Sequence, residues 1–154
     1  YMTGVLNYNA GALECISPST QRNHYFYGYY DNPALTQNDT LHLCNHVAFM
    51  NRLPNAQDEN ELGYIELDSK EFHPFAKTTA WNFQQGTMLQ WLPKNNLEVI
   101  YNNWTGCEYE SIVQNVVTGT KRHLSAPIAN VSPDGKWGIA LNFNRIRLAL
   151  QMAA

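Results

Sequence analysis

Between Ile128 and Phe143, two short apolar runs flank the pentapeptide Ser132-Pro133-Asp134-Gly135-Lys136. Proline presets φ at about −65° for the first corner of a reversal, Asp bonds its own backbone, and Gly accepts the positive φ that closes the turn. The stretch predicts a β-hairpin. The same layout occurs twice upstream, over Ala34–Leu43 and over Met88–Tyr101, where Pro93 stands in the turn. Pro93 and Pro133 are 40 positions apart (133 − 93), a spacing found in repeat architectures. The first interval is longer, and the polar, Pro-containing stretch from Asn51 to Glu61 supplies the excess.

The first two hairpins are each followed by another strand pair. Leu62–Asp68 runs into Ser69–Phe75, and Ser111–Val116 runs into Val117–Leu124, with Ser, Thr or Gly at the reversals. Four strands per unit at roughly forty residues mark a β-propeller blade. The expected fold is therefore all-β, a β-propeller fragment of about two to three four-stranded antiparallel blades. Blade one covers about 25–78, blade two about 79–124, and the start of blade three about 125–145. Residues 146–154 abandon the pattern for strong helix formers, an atypical tail on a single partial domain spanning 1–154. Such an array does not close a ring, so the remaining blades are expected to be missing. Self-association through the open blade faces is expected too.

The Ser132–Lys136 turn, together with the Val117-Thr118-Gly119-Thr120 hairpin, resembles the TolB-like propeller repeat. More narrowly, Asn23–Asp31 and Ala80–Gly86 resemble a bacterial family of uncharacterised propellers distantly similar to oligogalacturonate lyase. Arg22–Tyr27 is similar to a stretch of those lyases, and the whole resemblance covers about residues 20 to 145. It implies inner strands beside a central channel at about Tyr29–Leu35, Gly86–Leu92 and Ile128–Val131. The channel mouth would then be lined by His24–Asp31 and Trp81–Gln85. It also implies a bacterial protein, periplasmic or cytoplasmic.

Net charge is −3 with no basic cluster, which disfavours nucleic acid as a partner. No apolar run reaches the length of a membrane span. Cys15, Cys44 and Cys107 are odd in number and irregularly spaced, so buried, reduced thiols are expected rather than a disulfide framework. Leu13-Glu14-Cys15-Ile16 reads as a short strand ended by Ser17-Pro18-Ser19. Gly28 interrupts the aromatic block Tyr25–Tyr30, which marks a bulge or a close backbone approach.

Candidate site residues fall in four groups. Trp81, Gln84 and Gln85 offer a stacking face and amides for sugar hydroxyls; alternatively, the amides satisfy neighbouring backbone groups. His24, Tyr29 and Asp31 can bind a polar ligand or lock neighbouring blades by hydrogen bonds. Arg52 can clamp a ligand carboxylate or pair with Asp58 or Glu61. His42, Cys44 and His46 share one face of a strand, as metal ligands or as a packed sheet face. Phosphate loops, nucleophile elbows and His-Glu-x-x-His motifs are absent.

The leading expectation is a non-catalytic module that binds a saccharide or protein partner at the channel mouth, without a cofactor. The alternative implied by the resemblance is an oligogalacturonate-lyase-like polysaccharide lyase. It would act by metal-assisted β-elimination with a divalent ion such as Mn²⁺, held by histidines of later blades that this chain lacks. A third reading is a purely structural assembly module.

Overall fold

The computed structural model describes residues 14–18, 23–93, 97–143 and 145. The tail expected over 146–154 lies outside these residues, as does Leu13 of the expected short strand. Residues 14–16 do not form a strand.

The chain builds two four-stranded antiparallel meanders and one hairpin. In the first sheet β1 (His24–Phe26), β2 (Leu41–Val47), β3 (Asn60–Glu66) and β4 (Phe72–Thr78) lie side by side in chain order. The second repeats this order with β5 (Gln90–Trp91), β6 (Glu98–Trp104), β7 (Tyr109–Asn115) and β8 (Lys121–Leu124). The hairpin pairs β9 (Ile128–Val131) with β10 (Gly138–Ala140).

The reversals carry the chemistry that their sequences predict. At the third hairpin Gly135 donates to the Ser132 carbonyl at 2.8 Å with φ at 71°. Between β7 and β8, the Asn115 Oδ1 accepts the amides of Val117 and Thr118, and Gly119 closes the turn at φ 73°. Local bonds of this kind fix register without help from distant residues.

The first strand of the first sheet departs from expectation. Instead of a continuous strand over Tyr29–Leu35, β1 stops at Phe26 and the ladder resumes with a single bridge, Leu35 to His42. Pro33 removes one donor from this stretch, and the Asn45 side-chain amide takes the Tyr27 carbonyl that a ladder bond would use. The expected second strand over Gly86–Leu92 is likewise reduced to Gln90–Trp91. Ile128–Val131 forms as read.

One apolar core joins the two sheets. Leu43 and Leu62 of the first meet Leu89, Trp91, Val99, Tyr101 and Ile112 of the second. Polar ties cross the same junction. Tyr27 Oη donates to the Leu89 carbonyl at 3.0 Å, Trp91 Nε1 to the Ala34 carbonyl at 2.9 Å, and Gln114 Nε2 to the Phe75 carbonyl at 3.1 Å. The opposite face of the second sheet receives β9, where Gln90 Oε1 accepts Val131 N–H and Ser111 Oγ accepts Ile128 N–H. Because it is covered on both faces, the middle of β6 and β7 is buried without alternation.

Gly28 marks a close approach, as its place in the aromatic block predicts. A Cβ there would stand 2.8 Å from the Gln85 carbonyl oxygen and from Gly86 nitrogen. The cysteines divide: all three are free, but only Cys44 is buried, whereas Cys15 and Cys107 are exposed. The expectation of three buried thiols fails because Cys15 and Cys107 lie outside the strands, where no second layer covers them. Among the described residues, no helix is long and apolar enough to cross a membrane.

Candidate functional site

The segment Ala80–Met88 leads from β4 into β5 and is held by its own side chains. Asn82 and Gly86 exchange backbone hydrogen bonds, and Asn82 Oδ1 accepts the amides of Gln84 and Gln85. Its amide donates to Gln85 Oε1 at 3.2 Å. An Asx turn of this kind makes the segment a preset platform. It leaves the Gln84 side chain exposed and Gln85 half-buried.

Two of the residues singled out in the sequence meet here. Trp81 packs edge-on to Phe83 at 5.1 Å between centroids and lies 6.0 Å from both Phe26 and Phe49. The Arg52 guanidinium stands 3.8 Å over the Phe49 ring. Their polar groups are already engaged. Trp81 Nε1 donates to the Asp58 carbonyl at 2.7 Å, and Arg52 forks onto the Asp58 carboxylate, with Nη2 to Oδ1 at 2.8 Å. Arg52 beside it, with Asn55 N–H, holds the Asp58 carboxyl at about 2. Of the two acids offered to Arg52 by the sequence, the structure selects Asp58.

Beside this cluster lies a hollow of about 70 Å³, walled by Trp81, Gln85, Tyr109 and Phe143 and floored by Thr87 and Asn102. The Thr87 hydroxyl is buried and has no hydrogen-bond partner among the described residues. Asn102 Oδ1 accepts from Ser111 Oγ at 2.8 Å. Among the described residues, no charged side chain lines the hollow. Buried polar groups are normally satisfied, so the unpaired Thr87 hydroxyl marks a place built for something polar. Thr87, Asn102, Tyr109 and Phe143 escape the sequence reading. The one signal was Asn102-Asn103, a polar pair interrupting the apolar run of β6.

The other candidates do not converge. Among the described residues His24, Tyr29 and Asp31 share no hydrogen bond or ion pair: His24 pairs with Val47 across β1 and β2, Tyr29 stacks on Tyr30, and Asp31 is exposed. The neighbour Asn32 is buried instead and accepts from Asn130 at 3.4 Å. His42, Cys44 and His46 do share a face, as alternation requires, but the metal alternative is not supported. Among the described residues, no group of three His, Cys, Asp or Glu is placed to hold an ion. His46 Nδ1 is 3.0 Å from Glu61 Oε2, and burial pushes the Cys44 thiol up to about 12 while it donates to the Phe26 carbonyl. Burial also lowers the pKa of His42.

Fold and hollow thus define an all-β protein of antiparallel four-stranded sheets with an aromatic-walled recess between the Ala80–Met88 segment, the second sheet and Phe143. Compared with known proteins, the chain matches no family model, no curated sequence and no solved structure.

Proposed function

We propose that the chain is a propeller-type array that binds a neutral saccharide, without catalysis, in the recess beside Trp81. The observation that carries this reading is the buried Thr87 hydroxyl, without a partner among the described residues, between aromatic walls. A sugar presents hydroxyls to such a group and apolar C–H faces to aromatic rings. A water occupies about 30 Å³ of liquid, so a 70 Å³ hollow takes one hydroxymethyl-sized group rather than a whole ring. Among the described residues the lining carries no cation and Arg52 is committed to Asp58, which favours a neutral sugar over a uronate. The propeller assignment draws on two sheets of identical strand order and a third hairpin built on the same turn. The alternative, a Mn²⁺-dependent lyase acting on oligogalacturonate, rests on the sequence resemblance alone.

The test is titration calorimetry of the chain against a panel of neutral and acidic oligosaccharides. A neutral ligand should bind, and Thr87→Val should weaken it roughly tenfold, since one hydrogen bond is worth about 1.4 kcal/mol. Stability should barely change, because the hydroxyl has no partner among the described residues to lose. Affinity untouched by Thr87→Val would refute the site. Release of an ultraviolet-absorbing unsaturated product from oligogalacturonate would instead establish the lyase.

A further inference from the structure

We infer that the substituent taken into the recess is the acetamido group of an N-acetylated amino sugar, an inference that rests on the saccharide reading above. Ala80, Trp81, Met88 and Tyr109 give the hollow apolar surface, while Gln85 and Thr87 bring polar groups to it. Thr87 is 1% exposed, and its hydroxyl has no partner among the described residues. A side chain so deeply buried and unsatisfied calls for a ligand atom that bonds to it. Gln85 is oriented by the turn that carries it. Asn82 Nδ2 donates to Gln85 Oε1 at 3.2 Å, and Asn82 Oδ1 accepts the Gln85 backbone N–H at 2.8 Å. The carbonyl end of the Gln85 carboxamide is thus engaged within the turn, and the end it offers a ligand is the NH₂ donor.

A hydroxyl that can donate and an amide that does donate together ask for an acceptor with two lone pairs. Among the described residues no charged side chain lines the hollow, so a carboxylate there would be buried without a counter-charge. The same holds for the ammonium of a free amino sugar. A hydroxymethyl group reaches Thr87 with its one oxygen but leaves the aromatic surface almost uncovered. An acetamido group meets every demand. It is neutral, its carbonyl oxygen accepts from both Thr87 and Gln85, and its methyl packs on the rings of Trp81 and Tyr109. The hollow is about 70 Å³, so it takes one compact substituent and leaves the sugar ring outside.

Di-N-acetylchitobiose and cellobiose share linkage and ring stereochemistry and differ only in acetamido against hydroxyl, so they are the discriminating probes. By titration calorimetry the acetamido disaccharide should bind roughly tenfold tighter or more, the worth of one or two hydrogen bonds and a buried methyl. Chitobiose, which lacks the acetyl groups, should lose that gain. Thr87→Val and Gln85→Leu should each bring the affinities for di-N-acetylchitobiose and cellobiose together. With the unaltered chain, saturation-transfer NMR should give the acetyl methyl the strongest signal of the bound sugar. Equal affinity for the two probes overturns the acetamido assignment and leaves the saccharide reading standing. Binding of neither overturns the assignment too, and the wider oligosaccharide panel then decides the saccharide reading by itself. A preference that survives both substitutions, or a methyl less saturated than the ring protons, puts the acetamido group elsewhere and overturns the inference.

Discussion

Gly28 and Gly86 show how single residues hold the two sheets at their working separation. Both have positive φ, 113° and 57°, and each would direct a Cβ into the other segment or into Asn45. Gly119 also has positive φ, 73°, but a Cβ there meets nothing within 4 Å. Left-handed backbone alone costs a side chain about 1–2 kcal/mol, and a clash with rigid backbone adds to it. Gly28→Ala should therefore destabilise the chain by about 3 kcal/mol or more and Gly119→Ala by about 1 kcal/mol, read as urea midpoints at constant m. Equal losses would mean that the contact at Gly28 relaxes. The sequence shows that Gly28 is special because it breaks an aromatic block. It does not show that Gln85 and Gly86 are what presses against it, since that contact forms only when the sheets pack.

Among the elements, the insertion between β2 and β3 is an irregular segment tied down at two points. The Asp58 carboxylate receives Arg52 and the Asn55 amide, and its carbonyl receives Trp81. A carboxyl held at about 2 in the folded chain and near 3.9 when unfolded stabilises the fold above pH ~4, and the effect fades as pH falls toward 2. The melting-temperature gap between wild type and Asp58→Asn should therefore be present at pH 5–7 and narrow between pH 4 and 2. A gap that persists unchanged to pH 2 would remove Asp58 ionisation as its cause. Hairpins such as β3–β4 and β9–β10 are legible in the sequence because turn and strand signals are adjacent. The break between β1 and Leu35 is not, because it depends on Asn45 reaching Tyr27 from another strand.

In the whole molecule, Leu43 and Leu62 share one core with Val99, Tyr101 and Ile112, so the two sheets should unfold together. Leu62→Ala, at a fully buried position, should cost about 2–5 kcal/mol and speed hydrogen exchange in β6 of the other sheet as much as in β2. Exchange in β6 that is unaffected would separate the sheets into independent units. What the sequence by itself determined is the four-strand repeat, most of its hairpins and their antiparallel order, but not the first strand of either sheet. These follow from period-two patterning and turn chemistry, which act over a few neighbouring residues. The tertiary structure alone decided that Arg52 would engage Asp58, that His24, Tyr29 and Asp31 would not meet, and that the Thr87 hydroxyl would be left without a partner among the described residues. Whether a polar group finds a partner depends on what the next layer brings to it, and those groups arrive from distant parts of the chain.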